Sequence, residues 1–498
     1  MTLHLIDWII ILGYLAGCLA AGLGMRRFVR GVEDFAVAGR EMDVNLGIAS
    51  LAATELGLVT IMYTAQLGYE KGLAGAAIGV IMCAAVWIVG KTGFVIGPLR
   101  TAGVLTIPEL FEKRFGGRVR WLAGLFIVLG GLLNMGIFLR LGGQFLISVT
   151  GMPPGWLEWV MTGLLGLVLI YTALGGMLSV LVTDYLQFLV MGIGIVITSV
   201  IVLMHTGWFG IVDGLNAAWA AGTLKSHPFN PLDSSNFGVG YLLWMVVTQI
   251  AVATTWQTQI SRVLAAKDAD TAKRMYRRTS FYFVGRYLLP GLWGAAAFLY
   301  FHSAGHTAPA DTLNAMPQYL STILPVGVIG LVVAAMLAAE MSTDSGYMLT
   351  WATVIYNDLI TPCLKTPLSP RGSLRLTRGL VAGISVFLLI YGLSYELPGN
   401  AWDYLAVTGN IYLASVFTLL VTGLYWPRAN ATGAYAALVL GAVGPLTFLV
   451  VNAVVEKSHQ IRPEVAGASS FGLAFLGMII GSLATAAPQA VAVSPAAT

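Results

Sequence analysis

The residues best placed to do chemistry lie in one apolar stretch, 334–358, reading AAMLAAEMSTDSGYMLTWATVIYND, which carries Glu340, Ser342, Thr343, Asp344 and Ser345 as a compact polar cluster. In a membrane-spanning helix each ionisable group near the centre costs about 2.5 kcal/mol or more, so such a group is a functional candidate by default. Ala339, Ser342 and Thr343 stand at i, i+3 and i+4, which sets one carbonyl and two hydroxyls on a shared helical face. Hard, uncharged oxygen donors of this kind suit a small alkali cation. The competing structural reading is that Ser342 and Thr343 bond back to their own helix or aid close packing.

That cluster needs a membrane around it, and the composition supplies one. Hydrophobic residues make up 57% of the 498 and charged residues only 10%, with a mean hydropathy of +0.81. A soluble domain is excluded, and an all-α polytopic membrane protein is expected. Apolar runs of about 18 to 25 residues, each able to cross the hydrocarbon core, recur along the chain. They lie at 4–25, 44–67, 73–97, 121–147, 155–176, 180–204, 239–261, 280–302, 324–359, 376–395, 401–426, 433–453 and 469–487, about thirteen in all. Twenty of the 27 Lys and Arg fall in alternate connections: Arg26 to Arg40, Arg100 to Arg120, Arg262 to Arg278, Lys365 to Arg378, and Arg428. The positive-inside rule then puts the N-terminus outside and the C-terminus in the cytoplasm of a multi-pass plasma or inner membrane protein. His4 and Asp7 precede the first run where a signal peptide would carry basic residues, so that run reads as a retained helix. Cys18, Cys83 and Cys363 are scattered and imply neither a disulfide framework nor a metal motif. The net charge of +4 is explained by the cytoplasmic loops and gives no reason to expect a nucleic-acid partner.

Six stretches in order resemble the sodium:solute symporter family: EDFAVAGR, GKTGFVIGPLRTAGVLTIPELFEKRFG, YTALGGMLSVLVTDYLQ, QTQISRVLAAKDADTAKR, MSTDSGYMLTWATVIYNDL and GLYWPRANATGAYAALVLG. The resemblance implies a LeuT-type fold, in which five helices are repeated with inverted topology and the first helix of each repeat is unwound where solute and ion bind. The repeats would be 44–204 and 239–426 within a single transporter domain. An extra N-terminal helix and loop (1–43) would precede them, with two C-terminal helices (427–487) and a disordered tail (488–498) after.

Carried over residue by residue, the resemblance implies a sodium site made of the Ala53 and Leu56 carbonyls, the Ala339 carbonyl and the Ser342 and Thr343 hydroxyls. A second cation site, found in some members, would use Asp184, Ser342 and Ser345, with Asp344 beside them; Gly346 stands where a further hydroxyl would be wanted. The solute pocket maps to Thr54, Glu55, Gly79, Gln144, Val252, Arg286 and Leu405. Gly79, Val252 and Leu405 are poor partners for sugar hydroxyls, which argues against a sugar. Arg286 presents a planar fork suited to a carboxylate, unless it is spent on Asp344, Glu340 or Glu55. Arg140 and the polar run Thr248, Gln249, Thr254, Thr255, Gln257 and Thr258 are further cavity candidates.

The expectation is a sodium-coupled symporter importing a small carboxylate-bearing solute, an organic acid or an amino acid, with sodium as the only cofactor and no catalytic residue. A proton-coupled carrier of the same fold is the nearest alternative, given Glu55, Glu340 and Asp344. A solute sensor is another; the chain stops about eleven residues after its last span, so a sensor would need a separate signalling partner. No nucleophile–base pair, metal cluster or nucleotide loop supports an enzyme.

Overall fold

Fifty consecutive helical residues, Leu157–Thr206, would reach about 75 Å at 1.5 Å per residue, more than twice the hydrocarbon core. The chain therefore turns within the run, at Gly176 (φ 53°, ψ −147°). A Cβ there would meet Phe35 at 2.5 Å, so only glycine serves. The computed structural model describes residues 3–29, 31–303, 305–395, 401–455 and 460–485; Arg30, Lys457 and the expected tail 488–498 lie outside them.

Among the described residues, ten helical runs of 21 to 53 residues are long and apolar enough to cross a membrane. The expected thirteen is not reproduced by that criterion. Leu58–Thr92 and Pro154–Thr206 are double-length runs, and the helix over the expected 280–302 span is not among the ten. The helices that matter for the site are α1 (Leu5–Gly24), α2 (Val44–Glu55), α3 (Leu58–Lys71), α4 (Ala76–Thr92), α5 (Gly117–Met135), α6 (Phe138–Thr150), α7 (Leu157–Thr206), α8 (Gly238–Thr255), α9 (Gln257–Ala265), α10 (Ala269–Thr279), α11 (Tyr282–Phe301), α12 (Val328–Val354) and α13 (Ala401–Tyr425).

Two expected spans are broken helices. The 44–67 span parts at Leu56 (φ −97°, ψ 52°) and Gly57 (φ −58°, ψ 156°), separating α2 from α3. A Cβ on Gly57 would stand 2.6 Å from Thr343 Oγ1, so glycine at the break is what lets α12 approach. The 239–261 span parts at Trp256 (φ −63°, ψ 108°), between α8 and α9. Just before it, Thr254 donates to the carbonyl of Ile250 at 2.8 Å and Thr255 to that of Ala251 at 2.6 Å, back-bonds that loosen a helical turn.

The two broken helices are clipped together at one end: Met42 N donates to the Ala265 carbonyl at 3.1 Å and Lys267 N to that of Met42 at 3.0 Å. Arg100 adds bonds from Nε to the Ala266 carbonyl at 2.6 Å and from Nη2 to that of Lys267 at 3.0 Å. Backbone-to-backbone packing of small residues seats α11 on α3, where Gly68 faces Gly291 and Gly294 faces Ala65. On α1, the buried Asp7 caps the start of α12, accepting from Gly327 N at 2.7 Å and Gly330 N at 3.0 Å.

Candidate functional site

Breaking a helix leaves its last carbonyls without partners. The end of α2 supplies such carbonyls, and α12 passes beside it with the polar cluster. Thr343 Oγ1 donates to the Thr54 carbonyl at 3.0 Å, and Ser342 Oγ donates to Asp184 Oδ1 at 2.6 Å. Both hydroxyls thus reach across to other helices, which removes the back-bonding reading for this pair. Ser345 does bond back, to the Ser342 carbonyl at 3.1 Å. The donors named for sodium, from Ala53, Leu56, Ala339, Ser342 and Thr343, are uncharged oxygens, and of these Thr343 Oγ1 is seen to meet the end of α2. Their chemistry fits an alkali cation.

Beside the same turn lies a cavity of about 100 Å³. Thr54, Glu55, Val252, Arg286 and Leu405 line it, and so does Thr343. Gly79 and Gln144 do not, and the pocket assignment is corrected there. Gly79 on α4 is a packing position, where a Cβ would lie 2.7 Å from the Phe283 carbonyl and 2.9 Å from Tyr287 Cβ. Gln144 sits on α6 outside the lining. Arg140 turns instead to the carbonyls of Gly392 and Leu393, at 3.2 and 3.4 Å. Of the polar run on the second broken helix, only Thr248 and Gln249 reach the cavity.

Arg286, on α11, pairs with Glu55 and not with Asp344 or Glu340: Nη1 lies 3.3 Å from Glu55 Oε2. Its Nη2 donates to Thr60 Oγ1 at 3.1 Å and to Tyr63 Oη at 3.4 Å. Nε is buried and makes no hydrogen bond among the described residues. The cavity wall also holds an aromatic group that sequence reasoning missed. Tyr63, Tyr287 and Trp402 stand with ring centres 5.1 to 6.3 Å apart, and Tyr63 Oη is 3.4 Å from Tyr287 Oη. Thr60 and Asn134 are further polar lining residues. Nothing in their local sequence marks them, because isolated aromatic and small polar residues are ordinary in membrane helices.

Two more assignments change. Asp344 does not join Asp184: it lies two residues beyond Ser342, about 200° around the helix. It shares its face with Glu340, which points at Gly142 on α6, where a Cβ would be 2.7 Å from Glu340 Oε1. Both Glu340 oxygens and Asp344 Oδ1 are buried without a hydrogen-bond partner among the described residues. Arg262, counted above with the connections, is instead in α9 and fully buried, against Asp184 with Nη2 to Oδ2 at 3.4 Å.

The sequence profile of the sodium:solute symporter family matches residues 35–441. A sodium/glucose cotransporter from Vibrio parahaemolyticus is 28% identical, over 90% of this chain and 84% of its own length. Sodium/glucose cotransporter 4 from Danio rerio is 27% identical, over 91% and 72%. The high-affinity proline transporter PutP of Bacillus subtilis (strain 168) is 24% identical, over 92% and 94%. Among solved structures, a substrate-bound, outward-open Na+-coupled sialic acid symporter superposes with a TM-score of 0.83, covering 98% of this chain and all of its own, at 21% identity. A nucleobase-cation-symport-1 family transporter superposes at 0.56, with 13% identity. These likenesses place the fold in the LeuT-type class.

Proposed function

This chain belongs to the sodium:solute symporter family, and from that premise we propose that it imports a small carboxylate-bearing solute by coupling its entry to that of sodium. The observation that carries the solute class is Arg286: a buried guanidinium on the cavity wall whose Nε is unpaired and whose bond to Glu55, at 3.3 Å, is long for a charge-assisted pair. A carboxylate arriving in the cavity can take up that fork, and Glu55 beside it would favour a solute that also carries an amine. The argument against a sugar no longer follows from the wall alone. Gly79 is not part of it, while Thr60, Tyr63, Asn134, Thr248 and Gln249 add hydroxyl and amide groups.

Coupling follows from the shared turn at the end of α2. Its backbone meets α12, where Thr343 Oγ1 donates to the Thr54 carbonyl, and Thr54 and Glu55 line the solute cavity. Sodium bound by Ala53, Leu56, Ala339, Ser342 and Thr343 would hold α2 against α12 and so fix the cavity wall in its solute-binding form. Each ligand then raises the other's affinity by the same factor. With the N-terminus outside, Tyr63, Tyr287 and Trp402 lie on the outer side of the cavity, where they would close over a bound solute. The two repeats, 44–204 and 239–426, would rock about this centre.

The test is transport current from purified protein in liposomes, screened over monocarboxylates, amino acids, sugars and vitamins with sodium or choline outside. Sodium-dependent current for a carboxylate, lost in Ser342→Ala and Arg286→Ala, is the expected result. Current that persists in choline and follows a pH gradient would move coupling to Glu340 and Asp344. Sugar-driven current would overturn the carboxylate.

A further inference from the structure

Several basic residues on the side that charge alternation assigns to the cytoplasm are engaged with the protein itself. Arg40 pairs with Glu33 at 2.9 Å and Arg120 with Asp358 at 2.8 Å. Arg100 holds the Ala266 and Lys267 carbonyls, and Arg114 Nη2 donates to that of Pro427 at 2.6 Å. Arg277 and Arg278, on α10, are different: both are exposed, and neither side chain makes an ion pair or hydrogen bond among the described residues. From Lys267 to Arg278 the chain carries five Lys or Arg against two Asp. Both acids are taken, Asp270 by Arg274 at 3.0 Å and Asp268 by the cap on Thr271 N at 2.7 Å.

Arg274, Arg277, Arg278 and Phe281 stand at i, i+3, i+4 and i+7, one face of a helix. The stripe survives the end of α10, because Ser280 (φ −54°, ψ −44°) and Phe281 (φ −64°, ψ −24°) keep helical backbone into α11. The opposite face, with Thr271, Ala272, Met275, Tyr276 and Thr279, is buried. Phe281 is 69% exposed where the chain enters a membrane helix, so the stripe runs from charge to hydrocarbon. Next to it stands the end of α4. Gly90 is in backbone contact with α10, since a Cβ there would lie 2.6 Å from Arg277 N. Exposed Lys91 follows within a residue of that contact, its Nζ 4.8 Å from the ring centre of Trp87. Trp beside Lys is what a helix presents at the level of lipid headgroups.

We propose that this face, with Arg277, Arg278 and Lys91 at its polar end and Phe281 and Trp87 at its apolar end, is a docking site for an anionic phospholipid. The guanidinium forks suit a phosphate, and the exposed rings suit the first part of an acyl chain. A soluble phosphate would use the charges and leave Phe281 uncovered; a lipid uses both. The place has mechanical reach, because α10 joins α9 to α11 in the chain and packs on α2, where a Cβ on Gly47 would lie 2.6 Å from Met275 Sδ. The site is separate from the solute and sodium residues, so its failure would leave the symport reading untouched.

The experiment equilibrates purified full-length protein in detergent with phosphatidylglycerol, or with phosphatidylcholine of the same chains, and reads the lipid-bound fraction by native mass spectrometry. Wild type is expected to bind phosphatidylglycerol saturably and at least about tenfold more tightly than phosphatidylcholine. Arg277→Gln, Arg278→Gln should weaken phosphatidylglycerol binding by roughly 30-fold, the loss expected of two surface charges at a lipid headgroup, and leave phosphatidylcholine unchanged. Arg371→Gln, Arg375→Gln removes the same charge from another exposed basic stretch and should bind as wild type does. Equal weakening in the two double variants would overturn the proposal in favour of diffuse charge. Glycerophosphate, the headgroup without chains, displacing the lipid at equal concentration would overturn it in favour of a soluble anion. No preference between the two lipids on wild type would overturn it whether or not either variant folds.

Discussion

Arg286→Gln separates the two roles open to this residue, solute recognition and pairing with Glu55. Glu55 is 5% exposed and Arg286 is its ion-pair partner at 3.3 Å. Removing one member of a buried pair typically costs about 3–5 kcal/mol, because the other is left uncompensated. The single variant should therefore show a markedly lower melting temperature. Adding Glu55→Gln makes the pair neutral and should recover most of that loss. Solute recognition should not recover: a carboxylate deprived of charge-assisted bonds loses about 1.5–3 kcal/mol, roughly 10- to 150-fold in apparent affinity at 1.4 kcal/mol per decade. The assay pairs melting of the three variants with concentration dependence of sodium-driven current, using whichever carboxylate the liposome screen yields. If the double variant carries that solute with wild-type affinity, Arg286 is a structural partner of Glu55 and the carboxylate reading fails.

Thr343→Ala removes one sodium donor and the 3.0 Å bond to the Thr54 carbonyl; the sodium needed for half-maximal current should rise by about tenfold, equivalent to ~1.4 kcal/mol, and an unchanged value would remove Thr343 from the site. Arg120 bonds through Nε to Asp358 Oδ1 at 2.8 Å and through Nη2 to the Asn357 carbonyl at 2.6 Å, with Asp358 wholly buried. Arg120→Ala should cost about 3–5 kcal/mol in thermal stability, and Asp358→Asn in the same background should return part of it. Asp268 caps α10, accepting from Thr271 N at 2.7 Å, and these bonds hold its carboxyl below the usual range. Its contribution is thus present above the ordinary aspartate pKa and lost as pH falls through the lowered value. Asp268→Ala should destabilise by about 1 kcal/mol at neutral pH, and the difference from wild type should vanish in acid melts.

The broken helices were implied only by the family resemblance, whereas span length and charge alternation were legible in the sequence because each is local: a run of apolar residues is long enough to cross or it is not, and Lys and Arg are counted where they stand. The same holds for Ser342 and Thr343, whose i, i+1 spacing beside Ala339 sets their face before any neighbour is known. What only the tertiary structure decided is which helix each polar group meets. Glu340 stands two residues before Ser342 yet points at Gly142 on α6, away from the face that meets Asp184, because two residues turn a helix by about 200°. Gly79 was placed in the pocket, where it is in fact a contact between α4 and α11, and Tyr63, Tyr287 and Trp402 gather from three helices with no common motif. Arg262 is the sharpest case. Counted along the chain it is one more basic residue near a helix end, but folding draws it inward until five acceptors, Asp184 among them, surround it. Depth in the membrane depends on the packing of several helices at once, and no window of sequence contains that information.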